Sequence, residues 1–339
     1  MIGQQSNGEI REGCTVVHEL VTGSPELSSL VDGVDAAEEV VLLGCGSSFW
    51  TGVVGKHVLA DAGVPARAEY ASEFLFGNHQ VDEGTLVVGL SQSGETTETV
   101  RALERAERLG AETTALTNTA GSALPELADR TYVTPAGRER AVMATKSVDA
   151  AVAALYLLAD AVGDDGPALS GVGDRCRNAL APDLSGALSV LTGTDCLYTL
   201  GTGPFHGLAG EAATKFTEAT RHHSTPLSTL EIGHGPLANC DGDAAVVFAL
   251  DGEAAIYRHV LARLTDAGAE TVAVCPAGAE YDATATVEVP RPVETVLPAL
   301  KLVQRLAREG AVELGYDPDD PPALSKHVEV PAIDERTLP

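Results

Sequence analysis

The chain has 339 residues, 44% of them hydrophobic, enough apolar material for a core in each of two ordinary domains. Its formal net charge of -27 excludes a nucleic-acid footprint and an anionic membrane surface as partners, because both need clustered basic side chains. Six scattered cysteines (Cys14, Cys45, Cys176, Cys196, Cys240 and Cys275) form no CxxC pair and have no nearby histidine at zinc spacing, so neither a disulfide framework nor a structural zinc is expected.

The N-terminus, MIGQQSNGEIREG, lacks a basic region followed by an apolar stretch, and no apolar run approaches the roughly 20 residues of a membrane span. A cytoplasmic protein is expected. Lysine is scarce (Lys56, Lys146, Lys215, Lys301 and Lys326), and an acidic surplus with so little lysine suggests a surface adapted to high salt.

In chain order, EVVLL (39–43) is a short apolar run closed by GCGSS and followed by an amphipathic stretch over 49–62, which predicts strand, glycine turn and helix. TLVVGL (85–90), the turn SQSG and a helical run over 95–109 repeat the pattern, and ETTAL (112–116) supplies another strand. The segment GDDGPALSGVGD (163–174) reads as a linker, and a helix is predicted over 175–191. A second set then starts with CLYTL and GTGPF and continues through AAVVFAL (244–250) and TVAVC (271–275). Alternating units of this kind imply an α/β fold with parallel sheets covered on both faces.

The two sets share a register. GAET at 110–113 recurs at 268–271, and the same offset of 158 carries Gly94-Glu95 to Gly252-Glu253 and Glu73 to Glu231. Gly44 and Gly46 reach Gly201 and Gly203 with a slip of one. A gapless offset over this span implies internal duplication.

LSQSGET (90–96) places hydroxyls and backbone N–H groups where a strand ends and a helix begins, a position that favours anions. Ser91, Gln92, Ser93 and Thr96 can cradle a phosphate there without a basic residue. The alternative is that Ser93 is only a helix N-cap. The offset sets Ala249, Leu250 and Asp251 opposite Ser91, Gln92 and Ser93, so the second copy has lost the hydroxyls and gained a carboxylate. A dinucleotide reading of the glycine turns is weak, because Phe49 and His206 stand where GxGxxG needs its third glycine.

The stretch GEAATKFTEATRHH (210–223) puts Glu211, Lys215, Glu218 and His222 on one face if it is helical throughout. From spacing alone it is a salt-bridge ladder, a metal site or a catalytic row. Against metal, the adjacent His222 and His223 point apart on a helix or a strand.

Taken in order, LLGCGSSF, EYASEF, LSQSGETTET, AVMATK, the helix bearing Glu211 and Glu218, EIGHGPLA and LSKHVEV resemble the isomerase half of the glutamine:fructose-6-phosphate amidotransferases, a tandem sugar-isomerase (SIS) domain family. The resemblance covers nearly all of the chain beyond about residue 35. It implies two tandem flavodoxin-like domains, each a three-layer αβα sandwich, in a homodimer that binds a phosphosugar between the domains. The expected division is 1–165 for an N-terminal segment and the first SIS domain, 175–320 for the second, and 321–339 for a tail completing the site.

Carried over by position, the resemblance implies that Ser47 and Ser48 line the sugar-phosphate pocket, that Ser91, Gln92, Ser93 and Thr96 form the phosphate loop, and that Val142 contacts ligand through its backbone. Glu218 is implied as the carboxylate moving a proton between C1 and C2, with Lys215 and Glu211 in support. His234 is implied as the ring-opening histidine, reaching the site from the partner subunit, and Lys326 as the tail lysine engaging the open-chain ketose. The chemistry suits these residue types: a carboxylate and a histidine serve as acid and base, and a lysine amine forms an imine.

Two departures shape the expectation. The family's glutaminase nucleophile is a cysteine following the initiator methionine, whereas Ile2 follows Met1 here and Cys14 falls within a predicted helix. Free ammonia rather than glutamine is therefore expected, and a separate ammonia source is compatible with that. Met143 in AVMATK is larger than the family's usual residue, so the sugar's 2-substituent is expected to differ. The expectation is an isomerase/deaminase acting on glucosamine 6-phosphate and fructose 6-phosphate, with no cofactor and no metal. A fructosamine-phosphate deglycase, a non-catalytic phosphosugar-binding regulator and a nucleotide-dependent dehydrogenase remain alternatives.

Overall fold

A computed structural model describes residues 2–23, 27–77, 81–163 and 168–326. Of the expected linker, residues 164–167 lie outside the described residues, as does 327–339 of the expected tail. Among the described residues no helix is long and apolar enough to cross a membrane.

The chain opens with α1 (Gln4–Thr22) and α2 (Ser28–Ala36). It then alternates through β1 (Glu39–Gly44), α3 (Ser47–Asp61), β2 (Ala66–Tyr70), α4 (Ala71–Phe76), β3 (Thr85–Ser91), α5 (Thr97–Arg108), β4 (Glu112–Thr117), α6 (Ala123–Leu127) and β5 (Arg130–Val133), and closes the set with α7 (Lys146–Val162). Helices α8 (Val172–Asn178) and α9 (Ser185–Thr192) lead to a second set: β6 (Cys196–Gly201), α10 (Pro204–Thr220) and β7 (His223–Ser228). Two 3-10 turns follow (Thr229–His234 and Pro236–Asn239), then β8 (Ala244–Phe248), α11 (Ala254–Asp266), β9 (Glu270–Pro276), β10 (Ala285–Val289) and α12 (Leu297–Glu313).

Each set builds a five-stranded parallel sheet. The orders are β2-β1-β3-β4-β5 and β7-β6-β8-β9-β10, the same topology twice. The expected α/β architecture of two parallel sheets flanked by helices is the one observed. Strands alternate their side chains between faces, so both faces of a covered sheet must be apolar. In the first sheet Val41, Leu43 and Val87 pack with Phe74 of α4, Leu103 of α5 and Leu124 of α6. On the opposite face Leu42 lies under α3, where a Cβ added to Gly55 would stand 2.8 Å from both Leu42 and Leu155 of α7. In the second sheet Ala245, Val247 and Ala273 pack with Tyr257, Leu261 and Leu264 of α11.

The repeated GAET has a structural cause. Gly110 (φ 96°) and Gly268 (φ 87°) follow the C-terminal ends of α5 and α11 in the left-handed region, and the next strand starts two residues later at Glu112 and Glu270. The shared tetrapeptide is thus a helix stop joined to a strand start.

Two expectations are corrected. The helix predicted over 175–191 is two helices, because Pro182 lacks the N–H a continuous helix needs, and Asp183 Oδ1 accepts the Ser185 N–H at the new start. The stripe at 210–223 is not one helix. Arg221 takes a left-handed φ of 62° after Thr220, so His222 leaves the face that carries Glu211, Lys215 and Glu218. The described residues also cluster into two compact units. Among the described residues, 2–18 and 140–145 cluster with 171–324, and those within 19–139 cluster with those within 146–170 and with 325–326. Hydrogen bonds explain the first grouping: Glu9 accepts the N–H groups of Arg140 (2.6 Å) and Ala141 (3.2 Å), and Asp319 accepts those of Gln5 and Ser6 at 2.8 Å each.

Candidate active site

The candidate residues fall into two groups, one in each compact unit. In the unit built on the first sheet, β3 ends at Ser91 and α5 starts at Thr97, and the residues between them fold into a tight loop. Ser91 is buried and braces it: its Oγ accepts the Gly94 N–H at 3.1 Å and lies 3.0 Å from Thr96 Oγ1. Gly94 has φ 68°, and a Cβ there would come within 1.9 Å of Ser122 Oγ, so only glycine fits. The Gln92 carbonyl accepts from the Asn118 N–H and from the hydroxyls of Thr117 and Thr119. With its frame satisfied internally, the loop leaves Gln92, Ser93 and Thr96 half-buried at the start of a 12-residue helix.

Ser93 is not the N-cap. That position is Thr96, which makes no side-chain cap bond, while Ser93 Oγ accepts the Glu95 N–H at 3.2 Å. The first N–H groups of α5 therefore receive no capping oxygen from Thr96, the condition in which a helix start attracts an anion.

Ser47 and Ser48 open α3 on the neighbouring β1 turn, both half-buried. Gly44 makes that turn possible, since a Cβ there would stand 2.7 Å from the Ser48 backbone. Phe49, which weakened the dinucleotide reading, stacks on Tyr70 with ring centroids 3.6 Å apart. Beside them, burial and the Glu98 carboxylate push the Cys45 thiol up to about 11, so it stays protonated at neutral pH.

In the unit built on the second sheet, α10 starts after the Gly201-Thr202-Gly203 turn. Gly201 is obligatory, because a Cβ would lie 2.0 Å from the Phe205 carbonyl oxygen. Lys215 is fully buried, with Nζ 2.9 Å from Glu218 Oε2 and 3.3 Å from Glu211 Oε1. Glu211 is also buried, whereas 28% of the Glu218 side chain is exposed. Burial alone would lower the Lys215 ammonium's pKa, but the nearby Glu211 and Glu218 carboxylates more than offset this and raise it. The arrangement is a buried cation holding one oxygen of a carboxylate whose other end reaches the surface. That distinguishes it from the exposed ladder allowed by spacing.

His222 belongs to the framework. It is buried and hydrogen-bonds to the Thr220 hydroxyl and, through Nε2, to the Leu191 carbonyl at 2.7 Å. His234 ends the first 3-10 turn and is exposed. Beside it, an open cavity of about 510 Å³ is lined by Gly233 and Gly235 of the turn and by Arg263 and Asp266 of α11.

Val142 donates its N–H to the Asp319 carbonyl at 3.0 Å. Met143, expected to bear on the sugar's 2-substituent, is fully buried and presents no surface to a ligand. The carbonyl of Thr145 accepts from Gln304 Nε2, whose Oε1 in turn accepts from the buried Lys301 amine at 2.7 Å.

Lys326, in the first unit, pairs with the buried Glu139 at 2.9 Å, and Glu139 also accepts the Ser147 hydroxyl at 2.6 Å. Sequence reasoning missed Glu139, Glu9 and Asp319, whose partners lie far away along the chain. Asp251, noted in the sequence only as the carboxylate that replaces a hydroxyl of the first copy, accepts the Tyr257 hydroxyl at 2.7 Å. The signal for Tyr257 was available in the duplication, where the offset of 158 sets it opposite Thr99.

Comparison with known proteins places this geometry. Residues 35–161 match the SIS domain. The chain is 31% identical over 320 residues to the glutamine–fructose-6-phosphate aminotransferase of Streptomyces coelicolor, an alignment covering 86% of this chain and 52% of that protein. The chain thus spans about half the length of the curated relatives it matches. Its fold is that of the C-terminal domain of glucosamine-fructose-6-phosphate aminotransferase from Francisella tularensis (TM-score 0.80, 23% identity, 94% of this chain and 98% of that one). It is equally that of glucosamine-6-phosphate deaminase from Thermotoga maritima (TM-score 0.80, 22% identity, 96% and 99%). With one SIS domain matched over residues 35–161 and its strand order repeated in the second sheet, the chain carries an SIS domain and is homologous to the isomerase half of the glutamine–fructose-6-phosphate aminotransferases.

Proposed function

We propose that the protein is a cytosolic, homodimeric amino-sugar phosphate isomerase/deaminase that interconverts glucosamine 6-phosphate and fructose 6-phosphate with free ammonia. The observation that carries this reading is the Glu211-Lys215-Glu218 cluster, in which a buried ammonium fixes Glu218 Oε2 and leaves Oε1 for a substrate proton. The loop at 91–96, with Ser47 and Ser48, holds the phosphate through hydroxyls and N–H groups, which suits a surface too acidic to gather anions by charge.

In the deaminating direction His234 relays protons between the anomeric hydroxyl and the ring oxygen, opening the ring. Glu218 then removes the C2 proton and returns it to C1, which turns the amino aldehyde into a C2 imine. Water adds to the imine, ammonia leaves and fructose 6-phosphate remains. In the reverse direction the Lys326 amine, released from Glu139, condenses with the C2 ketone with loss of water, and ammonia displaces it.

The test is ammonia release and fructose 6-phosphate formation from glucosamine 6-phosphate in molar salt. Glu218→Gln should lower kcat by about 10²- to 10⁴-fold with the fold intact. No turnover by the native protein, or undiminished turnover by the variant, rejects the reading.

A further inference from the structure

Around one buried tyrosine, the second of the duplicated loops is tied together by hydrogen bonds. Tyr257 of α11 is 1% exposed, and its hydroxyl donates to Asp251 Oδ2 at 2.7 Å. The same hydroxyl faces the side chains of Thr202 and Thr229. Thr202 Oγ1 in turn donates to Thr229 Oγ1 at 2.9 Å, and Asp251 Oδ1 accepts the Glu253 N–H at 3.2 Å. Thr202, Thr229, Tyr257 and the Asp251 carboxylate thus form one polar relay around the buried ring, bonded from Thr202 to Thr229 and from Tyr257 to Asp251. It joins three separate segments: the β6–α10 turn, the start of the 229–234 turn and the β8–α11 loop.

The first copy ties the same three places more weakly. Thr202, Thr229 and Tyr257 correspond by the duplication to Cys45, Ala71 and Thr99. There Cys45 Sγ lies 4.0 Å from Thr99 Oγ1 and faces the Ala71 backbone. A thiol is a poor donor and acceptor, so the second copy has replaced a weak tie with a charge-assisted one. The carboxylate that removed the phosphate cradle is the relay's terminal acceptor. Burial and Asp251 raise the Tyr257 hydroxyl, which stays a donor throughout the physiological range.

The relay ends where the candidate histidine begins. Thr229 is fully buried and opens the short 3-10 turn whose last residue is the exposed His234, with Gly235 following at φ 138°. Beyond Thr229, Ile232 is the turn's only other buried residue, and Gly233 and Gly235 border the open cavity. We propose that the Thr202-Thr229-Tyr257-Asp251 relay sets the orientation of His234, making Tyr257 and Thr229 positioning residues for ring opening. This rests on the reading of His234 given above.

The variants are Tyr257→Phe and Thr229→Val, which remove hydroxyls at nearly constant volume, with Thr229→Ser as the conservative control. The readouts are amide hydrogen exchange across residues 229–235, kcat and KM for glucosamine 6-phosphate, and the NMR titration of His234. Exchange should rise about tenfold in this segment alone, and kcat should fall about tenfold with KM within twofold, while Thr229→Ser stays near the native values. Unchanged exchange and kcat in both hydroxyl-deleting variants, or exchange rising uniformly across the unit, overturns the relay. If His234→Ala keeps full activity, the catalytic reading of His234 fails. The exchange and titration arms then still decide whether the relay orders the turn.

Discussion

The ammonium of Lys215 lies 2.9 Å from Glu218 Oε2 inside α10, fully buried, while the carboxylate it holds remains part-exposed. Removing the cation strands a buried negative group at Glu211. Lys215→Met should therefore destabilise by about 3 to 5 kcal/mol, the cost of leaving half of a buried ion pair. The double variant Glu211→Gln/Lys215→Met should recover part of the loss in urea unfolding at constant salt.

The sign of the pH dependence follows from the same group. The folded-state pKa of Lys215 is raised above the ordinary 10.5, so its stabilising contribution is complete below that value and is lost as pH rises through the higher folded one. The stability difference between the native protein and the double variant Glu211→Gln/Lys215→Met, which leaves no stranded carboxylate at 211, should accordingly be flat from about pH 6 to pH 9, because Lys215 is charged in both the folded and unfolded states over that window. A difference that shrinks steeply within this range contradicts the pairing.

Gly94 is the second test, since its positive φ and the proximity of Ser122 forbid a side chain. Inorganic phosphate is expected to raise the Tm of the native protein, and Gly94→Ala should cost about 1 to 3 kcal/mol by thermal unfolding and abolish that rise. A native-like response to phosphate would show that the loop does not hold the anion.

The pairing of Lys326 with Glu139 predicts restricted amine reactivity. Glu139→Gln keeps hydrogen-bond capacity toward Ser147 but removes the charge facing Lys326. Acylation of Lys326 by an amine-selective reagent, followed by mass spectrometry, should be several-fold faster in the variant, because a surface-reaching ion pair is worth about 1 kcal/mol. Equal rates reject the pairing.

Glu9 carries a long-range prediction. Its carboxylate accepts the N–H groups of Arg140 and Ala141, beside Val142. Glu9→Ala leaves both donors unsatisfied and should cost about 1 to 3 kcal/mol, with faster amide exchange confined at first to residues 139–145.

Most of the fold was readable in the sequence because parallel strands buried on both faces leave continuous apolar runs, and the turns between them demand glycine. The duplication was readable for the same reason: GAET encodes a helix stop and a strand start in both copies. The helix predicted over 175–191 failed at Pro182, where a backbone rule outweighed hydrophobic periodicity. Of the charged stripe, the sequence established that Glu211, Lys215 and Glu218 share a face. It placed His222 with them only by assuming that the helix continued.

What the sequence determined by itself was local and periodic: the strand and helix order, the doubled α/β plan, the serine loop in one copy and its carboxylate replacement in the other. What only the tertiary structure decided was which charges are buried and which atoms meet across long separations. Spacing cannot tell an exposed Glu-Lys ladder from one with its lysine sealed in a core, because both have the same period on the helix. Nor can it find Glu139 beside Lys326, Glu9 beside Arg140 or Asp251 beneath Tyr257, since those partners are brought together by the packing of separate elements. Burial in a low-dielectric interior then sets the strength of such pairs, and burial is a property of the folded chain.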